Sequence, residues 1–165
     1  MDRSHVIHFH EYATPKDLPD ADRLLLRAAT EHLPVAYAPY SRFQVSAAVR
    51  LENGEIVLGA NFENAAYPMC LCAERTALAS CFSQYPLLKV SAMAITVKSP
   101  VVEVDRPASP CGACRQVMAE TETRQGRGFR VLLRGSSGPI WAFARGSDLL
   151  PFGFGGELLL PPPVA

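Results

Sequence analysis

The chain has 165 residues, 48% of them hydrophobic, and sixteen Lys and Arg balance sixteen Asp and Glu. A chain of this length suits one compact domain that buries roughly 70% of its extended-state surface, so neither disulfides nor a metal are required merely to fold it. Zero formal charge without a like-charge block argues against nucleic acid or an anionic membrane as partner, and Pro, Gly or charge breaks every apolar stretch short of a bilayer span.

Residues 1–19 are polar, hold His5, His8 and His10, and contain Pro15 and Pro19. They read as an arm or short edge strand outside the main core. A strand would put His8 and His10 on one face, but two histidines alone make an incomplete metal site. Asp20 is the expected N-cap of a helix in which Ala21, Leu24, Leu25, Ala28 and Ala29 recur at helical spacing, and Pro34 closes it. From Phe43 the period changes to two, placing Phe43, Val45, Ala47, Val49 and Leu51 on one face of a strand. Asn53-Gly54 predicts a hairpin turn into a partner strand from Ile56 to Ala60.

A second helix is expected from Cys72 to near Gln84, where Tyr85-Pro86 stops it, followed by a strand from Val90 to Val97. Pro107 and Pro110 bracket a loop. A third helix begins around Cys111 and is ended by Gly126 and Gly128, and strands follow at Phe129 to Leu133 and Ile140 to Ala144. This order predicts a mixed sheet between helices. The last stretch, Leu149 to Phe154 and then Leu158 to Leu160, is too apolar for a free tail and is expected to dock on this subunit or a neighbour.

The chemistry concentrates in Cys72-Ala73-Glu74 and Pro110-Cys111-Gly112-Ala113-Cys114. Both groups fall where helices start, and a helix N-terminus carries partial positive charge that favours thiolate over thiol. Cys111 and Cys114 share a face, so with Cys72 they could bring three sulfurs to one tetrahedral zinc and leave a fourth position for water. Water held there reaches a pKa near 7, and Glu74 would be the proton carrier, provided Cys72 sits at the helix cap with non-helical backbone angles. Arg75 could donate to the sulfurs and offset their excess negative charge. Three other readings stay open: a closed structural shell that adds Cys70, a redox Cys-x-x-Cys at Cys111 and Cys114, and inert buried cysteine, which suits Cys81 best. Five cysteines, an odd number not spaced as in a secreted scaffold, imply no disulfide framework. With no apolar signal core behind Met1-Asp2-Arg3-Ser4-His5, a cytoplasmic location is expected.

Cys-Ala-Glu followed by Pro-Cys-x-x-Cys is close to the zinc deaminase pattern. Together with Tyr37-Ala-Pro-Tyr-Ser-Arg-Phe-Gln-Val, Asn61-Phe-Glu-Asn-Ala-Ala-Tyr67, Cys72-Ala-Glu-Arg-Thr-Ala77, Ser109-Pro-Cys-Gly-Ala-Cys-Arg-Gln116 and Leu149-Leu-Pro-Phe152, it resembles the small homotetrameric cytidine deaminases of pyrimidine salvage. The blocks run in family order over most of the chain.

The resemblance implies a three-layer α/β/α fold with a mixed five-stranded sheet: an arm over 1–19, a catalytic domain over 20–155 and a tail over 156–165. It implies one zinc per subunit on Cys72, Cys111 and Cys114, with Glu74 as the catalytic proton carrier, and hydrolysis of cytidine or deoxycytidine to uridine or deoxyuridine plus ammonia. Asn61 and Glu63 match a pair that grips the ribose 3′-hydroxyl, Phe43 an aromatic that packs on the pyrimidine, and Ala73 a further substrate contact. Tyr67, Phe152 and Phe154 match positions that reach into an adjoining subunit's pocket, and Arg75 and Gln116 match supports of the thiolates. Phe43 and Phe154 would serve equally as core or interface packing, and Asn61 and Asn64 as turn residues. Ser46 departs from a common Gly close behind Phe43, and the N-terminal arm and the Leu158 to Ala165 tail exceed the pattern. The rival activities are a blasticidin S-type antibiotic deaminase, a non-catalytic zinc-stapled protein and, against the charge balance, a nucleic-acid-editing deaminase.

Overall fold

The computed structural model describes residues 1–156 and 159. One sheet organises them. Its strands are β1 (Phe9–Tyr12), β2 (Gln44–Leu51), β3 (Ile56–Ala60), β4 (Val90–Lys98), β5 (Arg130–Arg134) and β6 (Ile140–Phe143), in the spatial order β1-β6-β5-β4-β2-β3. Only β4 and β5 run parallel; the other pairs are antiparallel. The helices are α1 (Asp20–His32), α2 (Ala73–Gln84) and α3 (Gly112–Gln125).

The sheet has six strands where five were expected. The sixth comes from the arm, in which Phe9 to Tyr12 pairs with Phe143 to Ile140 along the edge of β6. Side chains explain why it stays there. Phe9 packs on Trp141 and Phe143 at ring separations of 5.0 and 5.4 Å, and Trp141 Nε1 donates to Glu11 at 2.6 Å. The strand also covers an edge that would otherwise offer unpaired backbone groups to another chain.

Helix α1 begins one step from its predicted start. Pro19, in extended conformation, occupies the cap, its carbonyl takes the amide protons of Asp22 and Arg23, and Asp20 is the first helical residue. Asp20 therefore caps nothing; its carboxylate pairs instead with Arg23 at 2.6 Å. Pro34 falls in a single 3₁₀ turn, Leu33–Val35, that closes the helix. The predicted hairpin and the second and third helices stand within a residue or two of their expected bounds.

Alternation along β2 divides the core into two layers. On one face Leu25, Leu26 and Ala29 of α1 lie over Ala48, Ala92, Ala94 and Leu132, small side chains that let the helix approach closely. On the other, Ala77 and Leu78 of α2 and Met118 of α3 pack on Val49, Met93, Ile95 and Leu133. Under α1, the buried Asp22 carboxylate accepts from Arg130 at 2.7 Å and Arg50 at 3.3 Å, pinning the helix to two strands. Such a pair gives orientation more than stability, because desolvation offsets most of the attraction. No helix among the described residues is long and apolar enough to cross a membrane.

Gly59 sets how α2 meets the sheet. A Cβ there would lie 2.4 Å from the Ala77 nitrogen and 2.6 Å from the Ala73 carbonyl oxygen, so bare backbone lets the first turns of α2 rest on β3. That contact fixes the position of Glu74.

Candidate active site

Cys72 and Cys111 occupy the N-cap positions of α2 and α3, both with extended backbone (φ −75° and −68°) and neither using its side chain to cap. Their carbonyls accept the first helical hydrogen bonds from Thr76 and Arg115, each at 3.0 Å, and their sulfurs stay free for other work. The cap placement of Cys72 is what the proton-carrier reading of Glu74 required. Cys114, one turn into α3, is fully buried beneath them.

The three sulfurs form a triangle. Cys72 and Cys111 lie 3.8 Å apart, Cys111 and Cys114 3.4 Å apart, and all three fall within 4.8 Å of one another. A tetrahedral zinc with bonds of 2.3 Å holds sulfurs about 3.8 Å apart, so the donor set fits this ion in number, type and spacing. Cys70 stands outside the triangle. Its sulfur accepts from the Asn64 amide at 3.2 Å, which leaves no closed shell of four cysteines. Cys81, deep in α2, has its thiol pushed up to about 12 by burial and is inert packing, as expected.

The triangle faces a cavity of about 290 Å³ lined by Phe43, Asn61, Glu63, Cys72, Glu74 and Cys111, among others. This lies at the small end of the roughly 300–1,000 Å³ usual for ligand clefts. Larger hollows of about 480 and 420 Å³ contain neither Glu74 nor any cysteine, so chemistry and not size locates the site.

Glu74, 4% exposed in the first turn of α2, is the buried acid of the cavity. Burial pushes its carboxyl above the usual range, and its own backbone N–H, Cys114 and the Arg75 charge pull it only part of the way back. A carboxyl so placed holds a proton more readily than a surface glutamate does. The Cys72 thiol moves the other way, because hydrogen bonds from Cys114, and more weakly from Cys111, favour its thiolate.

Asn61 and Glu63 enter from the stretch after β3 with part of their polar capacity already committed. The Asn61 amide bridges β2 from the side, accepting from the Val45 N–H at 2.8 Å and donating to the Phe43 carbonyl at 2.9 Å. One N–H and one lone pair remain. Glu63 accepts from the amides of Tyr40 (2.9 Å) and Ser41 (3.2 Å) and from the Ser41 hydroxyl. Desolvation raises the Glu63 pKa, but these three bonds outweigh it and hold the carboxyl below its usual range. Between Ser41 and Phe43, Arg42 takes a left-handed φ of 56°, a strained bend that delivers Phe43 to the cavity wall.

Other predicted residues lie further out. Ala73 is buried in the α2 first turn without lining the cavity. Tyr67 and Phe152 are 70% and 90% exposed and lie outside it, and Phe154 is exposed too. The docking expected of the last segment holds at Leu149, which is buried; residues 157–158 and 160–165 of the tail lie outside the described residues. Arg75 acts on Cys72 and Glu74 through its charge. The Gln116 amide donates to the Phe154 carbonyl at 2.8 Å and so holds the C-terminal segment.

Sequence reasoning missed Ser41 and Arg115, and it weighed Cys70 as a fourth ligand, not as the cavity-lining residue it is. Arg115 donates to the carbonyls of Pro110 (2.8 Å) and Leu149 (3.1 Å). Its place beside Cys114 was the available signal, whereas the Ser41–Glu63 contact spans 22 positions and had none.

Residues 19–126 match the family described as the cytidine and deoxycytidylate deaminase zinc-binding region. A cytidine deaminase of Halalkalibacterium halodurans is 42% identical over 135 residues, 82% of this chain and 95% of that protein. One from Mycobacterium tuberculosis is 34% identical over 84% of this chain and 93% of its own length. In three dimensions, the crystal structure of cytidine deaminase from Burkholderia pseudomallei superposes with a TM-score of 0.69 at 38% identity, covering 79% of this chain and 97% of that one.

Proposed function

The chain belongs to the zinc-binding cytidine and deoxycytidylate deaminases, and from that premise we propose that it hydrolyses cytidine and deoxycytidine to uridine and deoxyuridine with release of ammonia. One observation carries the reading: a triangle of three sulfurs, spaced for zinc, faces a cavity that also holds a buried glutamate.

Cys72, Cys111 and Cys114 would hold the metal. Zinc bound there supplies a Lewis acid that brings the pKa of water close to neutrality. Glu74 would accept one proton of the attacking water and pass it to the ring nitrogen beside the attacked carbon, then take the proton of the newly added hydroxyl and deliver it to the amine, which leaves as ammonia while the carbonyl forms. Its raised pKa suits this shuttle, since an ordinary surface carboxyl would hold a proton too weakly at neutral pH. Phe43 offers a flat apolar wall to the pyrimidine. The free N–H of Asn61 and the remaining acceptor capacity of Glu63 suit a sugar hydroxyl, which both donates and accepts. An uncharged nucleoside needs no cationic funnel, in keeping with a chain of zero formal charge.

Asn61-Phe-Glu-Asn and the Arg after Cys-Ala-Glu favour cytidine over a blasticidin S-type antibiotic. The position of Cys70 outside the triangle argues against a purely structural zinc. A homotetramer with shared sites is the proposed assembly, supported by the exposure of Tyr67 and Phe152. Pyrimidine salvage in the cytoplasm is the setting that fits such a substrate. The test follows ultraviolet absorbance of cytidine and of deoxycytidine, with and without a strong zinc chelator. Both substrates should be consumed, chelation should stop the reaction, and added zinc should restore it. Turnover that survives complete removal of metal would refute the proposal.

A further inference from the structure

The sheet face under α1 carries more cations than acids. Alternation along β5 sends Arg130, Leu132 and Arg134 toward α1 and Leu133 to the opposite face. Arg130 meets the buried Asp22 carboxylate at 2.7 Å, and Arg50 reaches the same acid at 3.3 Å. Arg134, at the end of the strand, has no ion pair among the described residues. Its Nε is buried there without a hydrogen-bond partner. Arg50 Nη1 is in the same condition, but that guanidinium already has Asp22 through Nη2. A buried charged donor without a partner is costly, which favours any acceptor able to reach it.

Arg134 lines a cavity of about 340 Å³ together with Arg23, Leu26, Arg27 and Glu31 of α1 and Pro15 ahead of it, among others. Arg23 donates to Asp20 at 2.6 Å and to the Leu18 carbonyl at 3.5 Å, and Arg27 donates to Glu31 at 2.7 Å. Each keeps further N–H groups for another acceptor. Three cations therefore line the cavity against one carboxylate, Glu31, which is engaged with Arg27. Guanidinium forks match the oxygens of a phosphate, and a phosphate monoester carries close to two negative charges at neutral pH. Leu26 and Pro15 add apolar wall beside the charges, and the volume falls within the roughly 300–1,000 Å³ of small-molecule clefts. None of these residues lines the catalytic cavity, which lies on the α2 side of the sheet.

We propose that the cavity between α1 and the end of β5 binds the phosphate group of a small phosphorylated molecule, with Arg134 as its central contact and Arg23 and Arg27 beside it. Arg134 supplies the buried donor and the charge that no acid of the fold neutralises. Glu31 opposes the anion, so affinity reflects three cations against one carboxylate. The organic part of the ligand rests on Leu26 and Pro15.

The experiment is calorimetric titration of the full chain with inorganic phosphate, ribose 5-phosphate and ribose, in a phosphate-free buffer at constant ionic strength. The wild type should take about one phosphate per chain with a saturable isotherm. Arg134→Met keeps the apolar stem and removes the guanidinium, and should weaken phosphate binding at least ~10-fold, the scale of one lost charged hydrogen bond. Glu31→Gln should tighten it about threefold and Arg27→Gln should weaken it by a similar factor, the scale of one exposed charge. Those two substitutions sit at exposed positions and carry the test if Arg134→Met does not fold. Ribose 5-phosphate should bind at least as tightly as inorganic phosphate, and ribose should not bind. Binding that fails to saturate, or an affinity unmoved by these substitutions, overturns the site. A site that takes inorganic phosphate but not ribose 5-phosphate overturns its assignment to a phosphate ester. No readout here uses deamination, so the result is independent of the catalytic reading.

Discussion

The two halves of the cavity are built differently. On the sulfur side the side chains are idle in folding: Cys72 and Cys111 sit at helix caps without capping, and their sulfurs meet chiefly each other and Cys114. On the hydroxyl side the side chains are busy, with Asn61 stitched to both Phe43 and Val45 and Glu63 anchoring the backbone at Tyr40 and Ser41. A side chain without a folding duty can be replaced at the expense of chemistry alone. One that carries the backbone cannot, so damage on the two sides should look different.

The largest expected effect is on the sulfur side. Cys111→Ala, at an exposed position, should leave the fold intact while zinc binding and deaminase activity collapse together, as metal analysis and an activity assay would record. A variant that unfolds as well would erase the contrast between the halves. Next comes Asn61→Ala, which should weaken substrate binding and stability together, because two backbone groups at the mouth of β2 lose their partners. A thermal melt should show about 1–3 kcal/mol of destabilisation, the usual cost of stranding such groups. Normal stability would mean the stitch is dispensable.

Glu63 gives a smaller effect that depends on pH. Its folded-state pKa lies below the usual value, so its contribution is complete above the unfolded carboxylate pKa of about 4.3 and is lost as pH falls through the lower folded value. The stability difference between the wild type and Glu63→Gln should therefore be flat from pH 7 to 5 and shrink on further acidification. A difference that grows with acid would contradict the anchor. Smallest of all, Cys81→Ala should cost about 1 kcal/mol of packing and leave zinc content and activity unchanged.

The contrast also explains what could be read from the sequence. Cys72, Glu74, Cys111 and Cys114 were legible because their placement depends on local spacing and on where two helices begin. Asn61 and Glu63 were legible only through the family resemblance, since by position they read as turn residues, and their bonds to Val45 and Tyr40 span 16 and 23 positions. Strand β1 was half visible: the polar stretch 1–19, with Pro15 and Pro19, read as an arm or short edge strand, but only the rings of Trp141 and Phe143 across the gap make it part of the sheet. Asp20 failed as a cap for a local reason, since the extended Pro19 before it already supplied the first carbonyl. The Asp22 network was invisible, because Arg50 and Arg130 reach it from 28 and 108 positions away.

The central claim is that three cysteines hold the metal while Glu74, which need not hold it, moves the proton. Glu74→Gln separates these duties, since it keeps the size and buried position of the side chain and removes the exchangeable proton. The measurement is zinc per chain alongside the rate of cytidine deamination in the purified variant. We expect about one zinc per chain with activity lowered at least ~100-fold, the lower range for losing a proton-transfer group. Activity close to that of the wild type, with zinc in place, would contradict the account.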